Sequence, residues 1–502
     1  MDHEFIRWRD LGAVVRRSTL PGVLAALAGG AVDSFPSLRP HQREPWHAFC
    51  VQIAVLATRW ARKHTIPEHE EEWRERLLGL TPEWPAGEAW SLIVDDWAKP
   101  ALLQPPLVSP HNRADYRNVL HTPDELDILL TSKNHDFKRS RMYNAASEDW
   151  LFALVTLQTS EGFQGAGNYG ISRMNGGFGT RMSFSLRATA SASAGFRMDV
   201  ERLLGQSDQS QCDPRLLPLL WVEPWDGTNS LGFERLDRLY IEICRRVRLV
   251  GGRTSAIAMT ATSKVARIAA AGLKGRTGDP WSPIKADSTA SITPSSAGFS
   301  YRQLARLLDR TQTNTPVLAE IHGATNIYGA VAIQAAALVR GQGKTEGLHR
   351  RLVDIPDFLT AEMAGKDIFH LIGDAASARA SYADSVRVAL QRSLQSLFQG
   401  GPEQVRFDDE ASLKKAQQWL SRFDSLVDST FFNNEFWREV LREQRGGLDT
   451  WMREMNDVAM LVLDETARLA PRRAMSRMRA RAVSENYLDQ QLTTLIDEQV
   501  HV

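Results

Sequence analysis

From Tyr382 onward the apolar residues return on a helical period, and this run constrains the fold more than any other feature. Tyr382, Val386, Leu390, Leu394 and Leu397 follow steps of four and three, which places them on one helix face. Gly400-Gly401-Pro402 stops that helix, because glycine accepts the left-handed conformation of a helix end and proline cannot continue one. Leu413, Ala416, Leu420 and Phe423 repeat the pattern. Phe436 to Leu469 carries one or two more helices, with Gly446-Gly447 as the candidate break, and Ala474 to Ile496 is the last. Helices with one apolar stripe and short connections bury those stripes against one another. An antiparallel four-helix bundle is therefore predicted over 357–502.

What precedes Pro356 is different in kind. Leu20-Pro21 opens a helix that Gly29-Gly30 ends, and Trp46 to Trp60 reads as a buried helix; residues 1–130 read mostly as helix. Trp150 to Leu157 is an apolar run long enough for a buried strand or two helical turns. Met182 to Leu186 alternates as a strand, Leu219 to Gly227 is a strand running into a turn, and Leu239 to Leu249 is a helix or a strand. Tyr301 to Leu308 is a short amphipathic helix, and Ala330 to Arg340 is an alanine-rich segment. The expected architecture is α+β, a large mixed α/β domain over 1–356 followed by the bundle.

Lysine and arginine (60) balance aspartate and glutamate (60), so contact with a polyanion must come from local patches. Three scattered cysteines, Cys50, Cys212 and Cys244, suit a reducing cytoplasm and neither a disulfide scaffold nor a cysteine zinc site. His41 and His47 lack a ligand cluster at metal spacing, so capping or core roles are expected of them. No run of about 18 apolar residues occurs, which argues against a membrane span. No Ser–His–Asp set, H-E-x-x-H motif or nuclease carboxylate group stands at usable spacing. The expectation is a protein that is not an enzyme, with no cofactor and no metal.

One patch draws attention. A basic loop, Thr131 to Arg141, is followed by the apolar run at 150–157. A glycine-dense segment then carries Gly162, Gly165, Gly167, Gly170, Gly176, Gly177 and Gly179 and closes on Arg181. Glycine lets backbone approach a ligand closely, and lysines and arginines beside such a loop fit a polyanion. Between Gly251 and Ala290 six basic residues (Arg253, Lys264, Arg267, Lys274, Arg276, Lys285) stand against Asp279 and Asp287. Arg472 to Arg481 is a further basic run.

The order Asn134…Phe137, apolar run, Asn175-Gly176-Gly177-Phe178-Gly179 resembles the CasA family, the large subunit of the type I-E CRISPR surveillance complex Cascade. Leu38…His41-Gln42 and Pro100-Ala101-Leu102-Leu103-Gln104-Pro105 look like landmarks of the same family, whereas Phe5-Ile6-Arg7-Trp8 replaces its usual first strand. The resemblance implies a non-catalytic subunit that binds target double-stranded DNA at the protospacer-adjacent motif. Such a subunit starts strand opening and R-loop formation and helps recruit the helicase–nuclease. Its partners would be the guide RNA-loaded Cascade backbone and small subunits. It implies motif contacts at Asn134, Phe137, Lys138, Asn175, Gly176, Gly177, Phe178 and Gly179 and a groove contact at Lys264 or Lys274. It also implies a strand-separating wedge at Gln342, flanked by Gly341 and Gly343, with Lys344 on a phosphate. Arg350, Arg351, Arg473 and Arg477 are candidate nucleic-acid or partner contacts.

Two other classes stay open. Gly343-Lys344-Thr345 resembles the end of a phosphate-binding loop, which suggests a nucleotide-dependent enzyme, although the full pattern needs glycine at position 338 and finds Leu338. A scaffold subunit of an unrelated nucleoprotein complex is the third.

Overall fold

A computed structural model describes residues 3–127, 145–206, 213–251, 256–320, 329–341, 344–360, 368–442, 448–469 and 474–500. The chain is α+β and divides into two compact units. The first comprises Met1–Gly298 and Thr311–Lys366, the second Phe299–Arg310 and Asp367–Val502.

The first unit is built around the helix Arg43–Trp60, buried from Ala48 through Thr58. Trp46 meets Phe152 edge-on at 5.0 Å, and Phe152 belongs to the helix Ser147–Ser160. The 150–157 run is thus helical, flanked by residues that carry it to four turns. A strand, Ile6–Asp10, pairs antiparallel with Val15–Ser18 and Val32–Ser34, so Phe5-Ile6-Arg7-Trp8 does enter a strand. Residues 1–130 hold less helix than expected: after Gly79 come the strand Asn118–Leu120, the single helical turn Pro123–Leu126, short turns and irregular chain. That chain is fixed by side chains. Gln104 donates to the Leu92 and Leu102 carbonyls and accepts from Leu249 N–H at 2.7 Å.

The Leu239–Leu249 stretch splits into two strands, Leu236–Ile241 and Arg246–Val250. The alanine-rich segment is a strand, Val331–Gly341, at the centre of a three-stranded antiparallel sheet. Ser183–Ala188 lies on one side (Val331 opposite Ala188) and Lys344–Ile355 on the other (Val331 opposite Ile355). Alanine favours helices, but this strand is buried from Val331 through Arg340, and small side chains suit a sheet covered closely on both faces.

The second unit contains four long helices: Ile368–Gln399, Glu410–Thr430, Leu448–Leu469 and Ala474–Val500. Arg387 bonds Asp424 and Gln399 bonds Ser412, partners that run in opposite directions, so the first two helices are antiparallel. A short helix, Asn434–Arg442, lies between the second and third. The helix Tyr301–Leu308 also belongs here, and not to the mixed α/β domain expected over 1–356. Its Tyr301 ring stacks on Phe431 at 5.0 Å, and Arg302 pairs with Asp384 and Asp424.

Arg379 is a buried tie within this unit. It forms two hydrogen bonds to Glu439 (2.9 and 2.7 Å), one to the Phe431 carbonyl (2.8 Å), and lies over the Trp451 ring. Arg379→Met would leave Glu439 charged, buried and alone. The expected loss is about 3–5 kcal/mol, read as a lowered urea midpoint for helical circular dichroism.

Candidate nucleic-acid interface

The glycine segment leaves the helix Ser147–Ser160 at Glu161 and returns at Thr180-Arg181, and its glycines serve two different ends. Three of them allow chain to cross chain. A Cβ on Gly162 would lie 2.4 Å from the Gly177 carbonyl oxygen, one on Gly170 2.6 Å from the Gly162 carbonyl carbon, and one on Gly179 2.4 Å from the Leu338 carbonyl oxygen. Backbone hydrogen bonds stitch the crossings: Gly162 N–H to Gly179 O and Phe163 N–H to Gly177 O, both 2.8 Å. Gly176 and Gly177 are the other kind. They are exposed, hold φ of 68° and 91°, and a Cβ would find no atom within 4 Å at Gly176 and only Thr293 Cγ2, at 3.8 Å, at Gly177. The loop tip Asn175-Gly176-Gly177 is therefore open backbone presented to solvent, while half-buried Phe178 packs near Phe163.

The loop is stapled from below. Arg173 and Arg181 flank it, and both reach Asp279, Arg181 at 2.5 Å and Arg173 at 3.6 Å. Arg173 also pairs with Glu242 and donates to the Tyr240 carbonyl at 2.7 Å. Burial acts to raise the Asp279 carboxyl, but Arg181 and Arg173 beside it prevail and hold it below the usual range. Arg181 is thus a closing clamp and not a polyanion contact.

The same correction thins the 251–290 patch. Arg267 is buried and bonded to the Leu220, Glu223 and Pro224 carbonyls; Arg253 lies outside the described residues. Asp279 is consumed by the staple. What remains exposed is Lys264, Lys274, Arg276 and Lys285 against Asp287. Both candidate lysines hang on the glycine segment. Tyr169 Oη donates to the Lys264 carbonyl at 2.8 Å, and Ser263 N–H to the Gly167 carbonyl at 2.9 Å. Lys274 sits at φ 50°, and the would-be Cβ of Gly275 beside it meets the Met174 carbonyl carbon at 2.9 Å. A lysine in the left-handed region is uncommon and holds its charge at a strained turn.

The long hairpin arrives at the same place. Gly341 pairs with Lys344; Gln342 and Gly343, between them in sequence, lie outside the described residues. A register shift after Val339 bends the hairpin near this end. Thr180 N–H donates to the Leu338 carbonyl and Leu338 N–H to Thr180 Oγ1, both 2.9 Å, which binds the glycine loop to the hairpin. Arg340 ties a third segment in: it pairs with Glu161 and donates to the Asp127 carbonyl at 3.0 Å. Asp127 is in turn held by His41 Nε2 (2.7 Å) and Gln42 Nε2 (2.9 Å), the roles of the Leu38…His41-Gln42 landmark. His47 likewise hydrogen-bonds Asp199, at 2.8 Å. Burial pushes the Glu161 carboxyl up to about 7; Arg340 opposes the rise and Asp127 adds to it.

Asp127 is the last described residue before Asn134, Phe137 and Lys138, which lie outside the described residues. One buried ion pair thus anchors the root of that segment, the start of the glycine loop and the end of the hairpin strand. Sequence reasoning missed Asp127, Glu161, Thr180 and Arg340. The available signal was a charged residue closing each of two buried apolar runs, Glu161 after Ser147–Ser160 and Arg340 near the end of Val331–Gly341.

Arg350 and Arg351 stand elsewhere. Arg350 is six residues beyond Lys344, about 20 Å along the strand, and lies near Glu44; Arg351 is half-buried on the opposite face. In the second unit Arg477 is half-exposed between exposed Met475 and Met478, and Arg473 lies outside the described residues.

No protein-family model matches this chain, and no curated protein is similar to it in sequence. Solved structures are similar over nearly its whole length. CasA of Thermus thermophilus matches with a TM-score of 0.67 at 14% identity, covering 98% of each chain. Cse1 of Acidimicrobium ferrooxidans matches at 0.61 and 13%, over 99% of this chain and 98% of that one, and Thermobifida fusca Cse1 at 0.64 and 11%, over 98% and 97%. Over that length the chain has the CasA fold.

Proposed function

We propose that this chain is the large, non-catalytic subunit of a type I-E Cascade complex, working in the cytoplasm with guide RNA-loaded backbone and small subunits. It binds target double-stranded DNA at the protospacer-adjacent motif, begins strand opening and R-loop formation, and helps admit the helicase–nuclease. The observation that carries the reading is convergence. An open glycine tip, exposed Lys264 and the end of a long hairpin are tied together by shared hydrogen bonds, with exposed Lys274 packed beside them through Gly275, on a fold shared with CasA. Among the described residues no helix is long and apolar enough to cross a membrane.

The arrangement suits minor-groove contact. Open backbone can enter a narrow groove, and that groove separates A·T from G·C only coarsely, so several related motifs should be accepted. Lys264→Ala or Lys274→Ala at the true phosphate contact should weaken binding across motifs and lower the salt slope by about one unit. A gel-shift series in rising salt checks this; an unchanged slope in both variants would remove the lysines from the site.

Gln342 follows the strand Val331–Gly341 in sequence, and in this reading it acts where the duplex first opens. Separating a base-pair step costs about 1.4 kcal/mol, and exchange of duplex for guide heteroduplex is close to balanced. A side chain that fills the gap of an unstacked pair can therefore decide whether opening nucleates. Gln342→Ala should leave motif binding intact and slow guide–target pairing, with the defect shrinking on a target pre-melted beside the motif. Equal losses on bubbled and paired targets would remove Gln342 from strand opening.

The nucleotide-enzyme alternative fares worse. A phosphate-binding loop leads into a helix whose N–H groups face the phosphates, whereas Lys344-Thr345 begin a strand paired along its length with Val331–Gly341.

A further inference from the structure

The first unit carries a second concave feature that the interface above does not use. A cleft of about 370 Å³ lies between the chain at Asp33–Leu38, the first turns of the helix Arg43–Trp60, and the segment Arg187–Ala192, with Arg350 and Leu352 along one side. Residues 350 and 352 share one face of their strand.

Its wall has two chemistries. Phe35, Leu38, Phe196 and Leu352 make an apolar side, and Phe35 stands edge-on to Trp46 at 5.7 Å. Arg43, Arg187 and Arg350 make a cationic side, with Asp33 the acidic residue of the lining. Arg187 and Arg350 share the Glu44 carboxylate, at 3.1 and 3.8 Å, and both donate to Gln334 Oε1 at 3.2 Å. Gln334 Nε2 in turn donates to Glu44 at 2.6 Å. Each guanidinium offers about five N–H donors, so most of theirs remain uncommitted. Arg43 has no ion-pair partner among the described residues. The surplus charge is felt at Arg350. Burial lowers its pKa below the usual range, Glu44 only partly restores it, and Arg187 and Arg43 lower it further.

A cluster of this kind is short of an anion. Ligand pockets begin at about 300 Å³, so the cleft has room for one nucleotide-sized molecule and none for a duplex. An inorganic anion would leave the apolar side bare, and an apolar ligand would leave Arg43 and the spare N–H donors of Arg187 and Arg350 unanswered. A nucleotide answers both. The geometry points to a nucleotide-binding pocket, its apolar wall of Phe35, Leu38 and Leu352 taking the base and Arg43, Arg187 and Arg350 taking the phosphate. The nucleotide is either free or one residue of a single strand. The second source rests on the proposed function, because the cleft lies about 20 Å along the strand from the hairpin turn, within reach of about six stacked nucleotides of a released strand.

The test uses the intact chain. Tryptophan fluorescence, to which Trp46 in the cleft wall contributes, is titrated with deoxyadenosine monophosphate, a five-nucleotide single-stranded DNA and inorganic phosphate. Both nucleotide probes should saturate, phosphate alone should bind at least about tenfold more weakly, and Arg43→Gln should lose about tenfold in affinity at unchanged melting temperature. Leu38→Ser should weaken the nucleotides and spare phosphate. Tighter binding of the oligonucleotide than of the mononucleotide assigns the strand as source, and equal binding assigns the free nucleotide. Absence of saturation, phosphate binding as tightly as nucleotide, or unchanged affinity in Arg43→Gln overturns the inference. Motif-dependent duplex binding by guide-loaded complex is measured alongside, and its persistence through such a failure leaves the proposed function standing.

Discussion

Gly179→Ala is expected to lower duplex affinity on the order of 100-fold and to destabilise the first unit, although it adds only one methyl group. That methyl would sit 2.4 Å from the Leu338 carbonyl oxygen and 3.4 Å from Val339 Cα. Leu338 cannot step aside, because it lies in the central strand and exchanges two hydrogen bonds with Thr180. The glycine loop must move instead, and the open tip at Asn175-Gly176-Gly177 moves with it. Overpacking of this kind costs about 1–3 kcal/mol, and about 2.8 kcal/mol falling on the bound state is 100-fold in affinity. Gly177 separates the two roles. Its surroundings are open, so Gly177→Leu should cost about 1–2 kcal/mol of left-handed strain and act on affinity by blocking close approach. Gel shifts with guide-loaded complex beside thermal melts distinguish the cases. Wild-type affinity in Gly179→Ala would separate the loop from DNA recognition.

The second large effect is expected at Arg340. Arg340→Met removes the larger of the two charges that oppose burial at Glu161, leaving Arg245 as the lesser one, and frees the Asp127 carbonyl. Breaking a buried pair from one side costs about 3–5 kcal/mol. The pH dependence has a definite sign. Glu161 has a folded-state pKa near 7, raised from 4.5, so its contribution to stability is full below pH 4.5 and is lost as pH rises through 7. Without Arg340 the ionised carboxylate is costlier still, so the variant's deficit should be smaller at pH 5.5 than at pH 8. The double variant Arg340→Met/Glu161→Leu should recover part of it, because no buried charge is then left unpaired. Urea melts at the two pH values check both points. A deficit that does not change with pH would mean that Glu161 stays neutral in the native protein.

How far the sequence could be read depended on the kind of force at each place. The bundle was legible because its helices are set by a repeating apolar stripe, as at Tyr382, Val386, Leu390, Leu394 and Leu397, each of which is buried. Its borrowed helix, Tyr301–Leu308, was visible as a helix but not as a bundle member, since partners far along the chain, Phe431, Asp384 and Asp424 among them, decide that. The strand Val331–Gly341 was hidden because alanine carries no strand preference and tertiary cover overrode it. Arginines misled most. Arg181 and Arg267 read as basic surface, yet each is buried, and so is Arg248; Arg248 donates to the Lys99 and Val94 carbonyls and Arg267 to three others. A guanidinium satisfied by backbone carbonyls looks the same in sequence as one waiting for phosphate. The glycines divided in the same way, since only the partner across the chain separates Gly179, crowded by Leu338, from Gly177, open to solvent.

The central claim is most directly tested by isolating the tagged chain from its own cells and analysing what accompanies it. The account predicts a small guide RNA of repeat–spacer form, a backbone of repeated subunits, and binding of matched duplex only beside a permitted motif. Recovery of the chain without RNA, or in a complex that binds duplex with no dependence on guide or motif, would contradict it.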